Sequence, residues 1–453
     1  MSRILNVRRF TGIPVKPTAT AEDPHASVAP TRVCRRVALS IAIAGLVIPL
    51  TSALPATATS ARATADQPDM VTQWNLTMIA GLEAAAVPPP PAARIGAIVQ
   101  ASVFDAVNGI ARRYAYYHVA PAAPQGASRP AAAAGAASTA LIALIPAQKP
   151  LFDAEMAATL AQISDDPSHP SQGVQRGLAW GTAVAKDILA WRSTDGFTTV
   201  PPPYIPGTAP GDWQPTPPLF GPPLFRQFAT MTPFALTSPA LFLPAGPPAL
   251  TSARYARDLA EVQSLGSLNS TTRTADQSQT ANFWQDDTVA AIWNRVADQL
   301  AQGTVDIGLV QNARLLAQMN IALADATIAI WNAKNTYNFW RPVTAIRAGT
   351  DPNWTPLLTT PAFQEYPSGH AGVSSAATSV LAAFYGNDTP FTVTSAGLPG
   401  VQRSFASFSA AVQQVEDARI YAGFHFRFSC TDAAALGAEV AAYVSSTLMQ
   451  PMH

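Results

Sequence analysis

The sequence predicts an all-α fold of helical bundles with long proline-rich surface loops. Alanine-rich segments carry apolar residues at helical spacing, whereas alternating strand patterns are hard to find. The chain has 41 prolines, which indicate long irregular connections between helices. With 453 residues it is long enough for one large domain or two ordinary ones.

Residues 1–65 are interpreted as an export signal and leader. Arg35 and Arg36 precede the apolar run "VALSIAIAGLVIPL", which is shorter than the roughly 20 residues of a membrane span. Small-residue sites place cleavage near Ala58 or Ala65. We therefore expect a secreted or cell-envelope protein that has no stable membrane span once the signal is removed. The paired arginines are typical of a signal for twin-arginine export. A retained membrane anchor is the alternative.

The region 66–250 begins as helices and ends as an irregular segment. Apolar residues at helical spacing predict helices at 92–110, 130–144, 150–163 and 172–191. From 196 to 250 repeated prolines exclude regular helix. This segment also contains Trp, Phe and Leu, so we expect it to wrap the surface and pack down rather than to be a free linker.

The region 251–453 is predicted to be a second helical region that carries the chemistry. Its helical stretches are "TANFWQDDTVAAIWNRVADQLAQ", "IGLVQNARLLAQMNIALADATIAIWNAKN" and "AAALGAEVAAYVSSTLM". Charged residues are only 12%, and Lys+Arg 28 equals Asp+Glu 28, so nothing favours a nucleic-acid partner or a membrane surface. Removal of Cys34 with the signal leaves Cys430, which is interpreted as a buried structural thiol rather than a nucleophile.

The first chemical element is the pair Lys334 and Arg341 in "KNTYNFWRP". Seven residues are nearly two helical turns, so both cations would share one face of a helix, unless Pro342 starts a new turn. Two adjacent cations repel each other unless an anion lies between them. The alternative is two long side chains whose charged ends reach solvent along an amphipathic face.

The second element is "PSGH", directly before a helical stretch. Ser368 suits an N-cap, and Gly369 lets a backbone N–H approach a ligand closely. Free N–H groups and the macrodipole make helix N-termini attractive to anions, so both residues are candidate donors to an oxyanion. His370 is a candidate general acid or base. An ordinary N-cap beside a solvated histidine is the alternative.

The third element is "ARIYAGFHFRF", with Arg419 and His425. Six residues do not place two side chains on one face of an ideal helix, and Gly423 between them is a candidate helix break. His425 stands among aromatic residues. Taken alone, a histidine in that setting is more often a core residue than a ligand.

In this order, the three elements resemble the tripartite signature of the vanadium-dependent haloperoxidases, within the wider type 2 phosphatidic acid phosphatase superfamily. The resemblance implies paired four-helix bundles and a vanadate cofactor, with His425 as apical metal ligand and His370 as the acid–base residue. The vanadate oxygens would be bound by Lys334, Arg341, Ser368, Gly369 and Arg419. Lys334 and Asp287 would assist catalysis, Asp287 by pairing with Arg419. Trp331 and Phe363 match halide-pocket positions of fungal-type chloroperoxidases.

The resemblance implies oxidation of halide by hydrogen peroxide to hypohalous acid, with bromide expected, chloride more demanding and an organic compound as a candidate acceptor. The alternative is an exported acid phosphatase, in which His425 would form a phosphohistidine and His370 would protonate the leaving group. A non-catalytic exported scaffold is a third hypothesis.

One departure concerns the residue four positions after the apical histidine: many relatives have aspartate, whereas this chain has Ser429, and its next aspartate is Asp432. A backbone carbonyl could orient the imidazole instead.

Overall fold

Helices make up most of the regular structure, as the sequence predicts. The computed structural model describes residues 69–164, 171–285, 288–303 and 308–452, all within the compact unit Thr59–His453. The export signal predicted at 1–65 therefore lies outside the described residues. The first region contains α1 (Met70–Ala84), α2 (Pro89–Ala111), α3 (Arg129–Leu144), α4 (Lys149–Ser164) and α5 (Ser171–Arg192). The second contains α6 (Ala253–Leu265), α7 (Ala275–Phe283), α8 (Val289–Gly303), α9 (Leu309–Tyr337), α10 (Pro342–Gly349), α11 (Gly369–Tyr385), α12 (Phe408–Tyr421) and α13 (Arg427–Thr447).

The four helices predicted in the first region are confirmed to within three residues at each end. Their boundaries follow local chemistry: Ser128 caps α3 by accepting a hydrogen bond from the Ala131 backbone, and prolines stand in the first turns of α2 and α3. Small residues allow α3 and α5 to cross closely, because a Cβ at Gly181 would overlap the Ala132 carbonyl oxygen.

A short antiparallel hairpin is the β-structure that the sequence did not predict. Strands β1 (Phe391–Thr394) and β2 (Gln402–Phe405) pair in the register Phe391 with Phe405 and Thr394 with Gln402. Phe391 also stacks on Phe408, with ring centroids 5.0 Å apart. Four residues give too few alternations to stand out in a sequence, so this pairing depends on the aromatic contacts that tertiary packing supplies.

The helices form two bundles that share an interior. In the first, α2, α3 and α5 pack together beside α1, and in the second α9, α11 and α13 pack together beside α8 and α12; α2 lies against α9 and joins them. One hydrophobic core includes residues from both sides of the predicted boundary at 250, such as Phe104 of α2 and Leu323 of α9. The division of the chain into two regions at residue 250 therefore stays a prediction.

The proline-rich segment 196–250 packs onto the bundles, which confirms that it is not a free linker. Asp325 of α9 accepts hydrogen bonds from the three successive backbone N–H groups of residues 234–236, at 2.6, 2.7 and 2.9 Å. Arg192 of α5 donates to two carbonyls of the same segment, those of residues 232 and 233. Trp213 and Phe228 bury their rings. Two buried polar side chains thus hold a segment whose only regular structure is the short 3-10 helix Arg226–Thr230.

The central helix α9 is long and apolar enough to cross a membrane by length and composition, but 94% of its apolar 18-residue stretch is buried inside the protein. It ends at Tyr337, because Asn338 adopts the left-handed conformation with φ 46°. Arg341 is then the N-cap of α10. The expectation that Lys334 and Arg341 share one helical face is therefore wrong. The predicted helix over 280–302 is also interrupted, since α7 ends at Phe283 and α8 begins at Val289.

Candidate active site

Helix ends bring the three predicted segments together. Lys334 lies in the last turn of α9, Arg341 caps α10, Ser368 caps α11, Arg419 lies in the last turn of α12, and His425 precedes α13. Gly423, with φ 83°, separates the last two, which confirms the predicted helix break. Helix ends have backbone groups without intrahelical partners, so their convergence creates a polar site inside an apolar bundle.

Lys334 and Arg341 are fully buried cations held by backbone carbonyls. The Lys334 ammonium donates to the carbonyls of Gln364 at 2.7 Å and Glu365 at 2.9 Å. The Arg341 guanidinium donates to the carbonyls of Phe363 at 2.9 Å and of residue 424 at 3.0 Å. Burial, and secondarily the charge of Arg341, holds the pKa of Lys334 well below its usual range. Burial also lowers the pKa of Arg341 to about 9. An anion between these side chains would stabilise both charged forms.

Arg419 brings the third cation from α12. Its guanidinium donates to the Trp284 carbonyl at 3.0 Å and to the Gln285 side-chain oxygen at 2.7 Å. The segment that follows α7 therefore positions this arginine. Asp287, which the sequence predicts to pair with Arg419, lies outside the described residues, so that pairing stays a prediction.

The N-terminus of α11 presents hydrogen-bond donors, but the side-chain cap that the sequence suggests is not formed. Ser368 is the N-cap residue by conformation, but its side chain makes no capping hydrogen bond, and its Oγ has no hydrogen-bond partner among the described residues. His370 Nε2 is likewise buried without a partner in that part of the chain. Burial, followed by the charges of Arg419, Lys334 and Arg341, holds the pKa of His370 well below its usual range. His370 is therefore neutral at neutral pH until an anion offsets these cations.

His425 turns one ring nitrogen towards Arg341 and the other towards a carboxylate. Its Nε2 lies 3.2 Å from Arg341 Nη1, and its Nδ1 lies 2.8 Å from Glu365 Oε1. Burial, then the charge of Arg341, holds the pKa of His425 well below its usual range. Burial raises the pKa of Glu365 to about 7, and Arg341 and Lys334 oppose that rise. The imidazole is thus neutral, with an oriented Nε2 lone pair.

Glu365 is the residue that sequence reasoning missed. It begins the stretch "EYPSGH", but a lone carboxylate before a helix gives no sign that it will meet a histidine sixty residues later. The absence of aspartate at position 429 was the available signal, because it raised the question of which group orients His425. Asp432, the next aspartate, instead accepts hydrogen bonds from Tyr366 and Arg254, both at 2.9 Å.

Trp331 and Phe363 form an aromatic wall beside the cations. Their ring centroids are 5.3 Å apart. Lys334 Nζ lies 5.2 Å and the Arg341 guanidinium carbon 4.9 Å from the Phe363 ring centroid. Trp331 Nε1 donates to the backbone carbonyl of residue 224, which fixes the indole against the proline-rich segment. The structure thus places both predicted halide-pocket residues next to the predicted anion-binding cations; their role towards halide stays a prediction.

A cavity open to solvent leads to these residues. Gly369, His370, Arg419 and His425 line its polar part. Its remaining walls are mostly apolar and come from both bundles, through Pro89, Pro90, Ala93, Phe225, Val289, Ala290, Trp331, Pro361, Phe363 and Val373. A polar site at an apolar cavity has the organisation of a small-molecule site.

The donor set fits an oxyanion that also accepts a nitrogen ligand, such as vanadate. Three cationic side chains surround the site, and Arg341 Nη2 and Ser368 Oγ are buried polar atoms without hydrogen-bond partners among the described residues. Buried donors of this kind usually have a partner in the working protein. His425 Nε2 is the nitrogen available to a metal, and the N–H groups at the start of α11 suit an anion.

Cys430 shows no sign of chemistry. Its side chain is fully buried, and burial raises the pKa of its thiol well above the usual range. A thiol that stays protonated is a poor nucleophile. The prediction of a buried thiol is confirmed.

Known proteins that resemble this chain in sequence or fold are described as vanadium-dependent peroxidases. Residues 314–453 match the VCPO second helical-bundle domain. The vanadium chloroperoxidase of Curvularia inaequalis is 28% identical over 147 residues, which cover 26% of this chain and 24% of that protein. The chain thus matches about a quarter of the length of that curated relative.

Two crystal structures extend the likeness beyond the C-terminal domain. The first bacterial vanadium-dependent iodoperoxidase superposes with a TM-score of 0.71 at 27% identity, covering 84% of this chain and 95% of that one. A holo-type bacterial vanadium-dependent chloroperoxidase superposes with a TM-score of 0.62, covering 80% of this chain and 93% of that one. At 18% identity the second likeness concerns the fold alone. The chain is therefore related to the vanadium haloperoxidases, with their second helical-bundle domain at residues 314–453 and their helical fold over most of its length.

Proposed function

We propose that this protein is a vanadate-dependent haloperoxidase that uses hydrogen peroxide to oxidise halide to hypohalous acid. The observation that carries the proposal is the oriented Nε2 of His425, 3.2 Å from Arg341 within a buried cationic site. The similarity to a vanadium-dependent iodoperoxidase and to vanadium chloroperoxidases supports it. Bound vanadate would supply an electrophilic centre that activates hydrogen peroxide towards halide without a redox change at the metal.

The chain's own residues supply binding, charge and a proton. Lys334, Arg341 and Arg419 would offset the charge of the oxyanion in a setting where burial strengthens electrostatic interactions. The neutral His370 would hold or release a proton at Nε2, which has no hydrogen-bond partner among the described residues. The wall of Trp331 and Phe363 would limit the access of water to these cations.

The test is the dependence of halide oxidation on orthovanadate. After exhaustive chelation, purified protein should lose peroxide-dependent bromide and iodide oxidation and regain it with orthovanadate, while phosphate competes. Iodide gives up electrons most readily and chloride least, so chloride oxidation is the most demanding case. Equal activity before and after reconstitution would rule the proposal out. Vanadate-inhibited hydrolysis of a phosphate monoester, without halide oxidation, would instead indicate the phosphatase alternative.

Two histidine variants separate binding from chemistry. His425→Ala should lose vanadate, measured as vanadium retained after dialysis, because it removes the nitrogen ligand. His370→Ala should retain most of the vanadium and lose halide oxidation, because it removes only the proton carrier. Comparable vanadium retention in both variants would contradict these roles.

The apolar walls of the cavity suggest an organic acceptor of halogen. We propose that it is predominantly apolar, since most of the lining outside the polar floor is aliphatic, aromatic or proline. Competition between apolar and fully ionic acceptors in the same halogenation reaction tests this, and equal use of both would indicate release of free hypohalous acid. Export through the segment 1–65 also remains a proposal, and amino-terminal sequencing of mature protein would test it.

A further inference from the structure

The protonation pattern of His425 is determined by its two neighbours. Arg341 Nη1 can only donate, so the His425 Nε2 that lies 3.2 Å from it must accept with its lone pair. The ring proton is therefore on Nδ1, where it donates to Glu365 Oε1 at 2.8 Å. This is the tautomer that a metal-binding Nε2 requires.

Glu365 is held so that it can impose this tautomer. Its carboxylate is fully buried, and Oε1 also accepts the backbone N–H of Phe426 at 3.1 Å. Its own backbone is held on both sides, since its N–H donates to the Phe339 carbonyl at 3.0 Å and its carbonyl accepts from Lys334 at 2.9 Å. Glu365 thus connects the segment that carries Ser368 with the one that carries His425.

We propose that Glu365 is the positioning residue of His425 and takes the role that the family resemblance led us to expect of an aspartate at position 429. Ser429 occupies that position, and its Oγ lies 3.4 Å from His425 Nδ1, at the limit of hydrogen bonding. In this chain the carboxylate at Nδ1 comes from the segment before α11 and not from α13. The inference rests on the proposed function only in taking vanadate as the ligand of Nε2.

The expected consequence of the Glu365 contact is a more basic and better aligned Nε2 on His425. A carboxylate on the far nitrogen of a metal-binding histidine fixes the ring and increases its donor strength, and its loss typically weakens metal binding about 10–100-fold. Because Ser429 is close to Nδ1, an aspartate placed there has the reach to restore the contact. The two positions should therefore be interchangeable.

The experiment compares four proteins: the parent, Glu365→Ala, Glu365→Ala with Ser429→Asp, and Glu416→Gln as a control that removes another buried carboxylate. One readout is the affinity for orthovanadate by equilibrium dialysis. The other is the ¹⁵N imidazole shift of His425 in vanadate-free protein, assigned by its loss in His425→Ala. Glu365→Gln, which keeps the shape and one acceptor oxygen, serves if Glu365→Ala fails to fold.

We expect Glu365→Ala to bind orthovanadate about 10–100-fold more weakly and to lose the pure Nδ1–H tautomer. Ser429→Asp should restore most of both, and Glu416→Gln should change neither. A parent with the proton on Nε2, or a Glu365→Ala protein with parental shifts and affinity, would overturn the inference. If the parent binds no orthovanadate but shows the Glu365-dependent tautomer, the proposed function fails and the positioning role stands.

Discussion

The charge states of single side chains at this site depend on burial more than on residue type alone. Lys334, Arg341 and His425 are ordinary side chains whose pKa values are lowered because the bundle interior disfavours charge. Each is then held by specific acceptors: carbonyls for the two cations and a carboxylate for the imidazole. The site is therefore arranged for an anion before any anion arrives, which is the condition for electrostatic preorganisation.

Phe363 tests how the aromatic wall affects the choice of halide. Its ring covers both Lys334 and Arg341, so Phe363→His would admit water and add a competing base next to them. We expect the ratio of chloride to bromide oxidation rates to fall, because the more demanding halide depends more on a low local dielectric. Rates with each halide at saturating orthovanadate measure this. In a parent that oxidises both halides, an unchanged ratio would place Phe363 outside the halide site.

Glu416 gives a stability prediction away from the site. It is buried on α12, and burial raises its pKa from 4.5 to about 7. Its folded-state pKa lies above the unfolded value, so its contribution to stability is fully present below about pH 4.5 and is lost as the pH rises through 7. We expect Glu416→Gln to stabilise the protein at pH 8 and to gain about 1–3 kcal/mol relative to the parent between pH 5 and pH 8.

Urea unfolding at the two pH values measures this difference. Glu439→Gln changes an exposed carboxylate on α13 and serves as the matched control. A Glu416→Gln protein whose advantage over the parent does not grow with pH would show that folding does not raise the pKa of the Glu416 carboxyl.

At the scale of elements, close helix crossings position the site. A Cβ at Gly437 of α13 would overlap the carbonyl oxygen of Gly372 on α11, so the two backbones touch. Helix α11 starts at Gly369, a proposed donor, and α13 starts two residues after His425. The distance between these helices therefore determines the distance between the proposed oxyanion donors and His425.

Gly437→Ala should consequently impair both stability and binding. We expect a loss of about 1–3 kcal/mol from forced separation of the helices, together with weaker orthovanadate binding. Gly349→Ala is the control, because a Cβ at Gly349 of α10 meets no atom within 4 Å. Thermal unfolding and equilibrium dialysis check the two effects. Parental stability in Gly437→Ala would show that α11 and α13 can separate without cost.

At the scale of the whole molecule, the active-site cavity requires both bundles. The domain match begins at residue 314, yet Pro89 and Pro90 of α2 and Phe225 of the proline-rich segment line the cavity. Arg419, within the matched region, is held by the carbonyl of Trp284 outside it. The C-terminal domain therefore contains the proposed anion-binding residues, while the rest of the chain supplies cavity walls and support.

Because the site joins separate segments, its ligand should stabilise the whole fold. Orthovanadate at about 100 times its dissociation constant should add about 2.7 kcal/mol to the free energy of unfolding and raise the melting temperature by several degrees. His425→Ala should show little of this rise at the same concentration. Differential scanning calorimetry across an orthovanadate series measures it. A melting temperature that is independent of orthovanadate would contradict binding to the folded protein.

The helices and the anion-binding segments could be predicted from the sequence because their signals are local. Apolar periodicity located α2 to α5, and a serine, a glycine and a histidine before an apolar stretch marked the start of α11. The family resemblance joined "KNTYNFWRP", "PSGH" and "ARIYAGFHFRF" into one site, and the structure brings these segments together. The stretch predicted to be helical ends at Asn335, two residues before the observed end of α9 at Tyr337, and the alternative of a new turn at Pro342 is confirmed by the start of α10.

Tertiary structure alone decided which distant groups meet. The contact of Glu365 with His425 spans 60 positions, and the contact of Arg419 with Trp284 spans 135. No periodicity connects such pairs, because they depend on how α9, α11 and α13 cross. The family pattern indicated aspartate at position 429, yet the imidazole needs only a buried acceptor within reach of Nδ1. Several positions around the ring could supply such an acceptor, and the packing of the helices places Glu365 there.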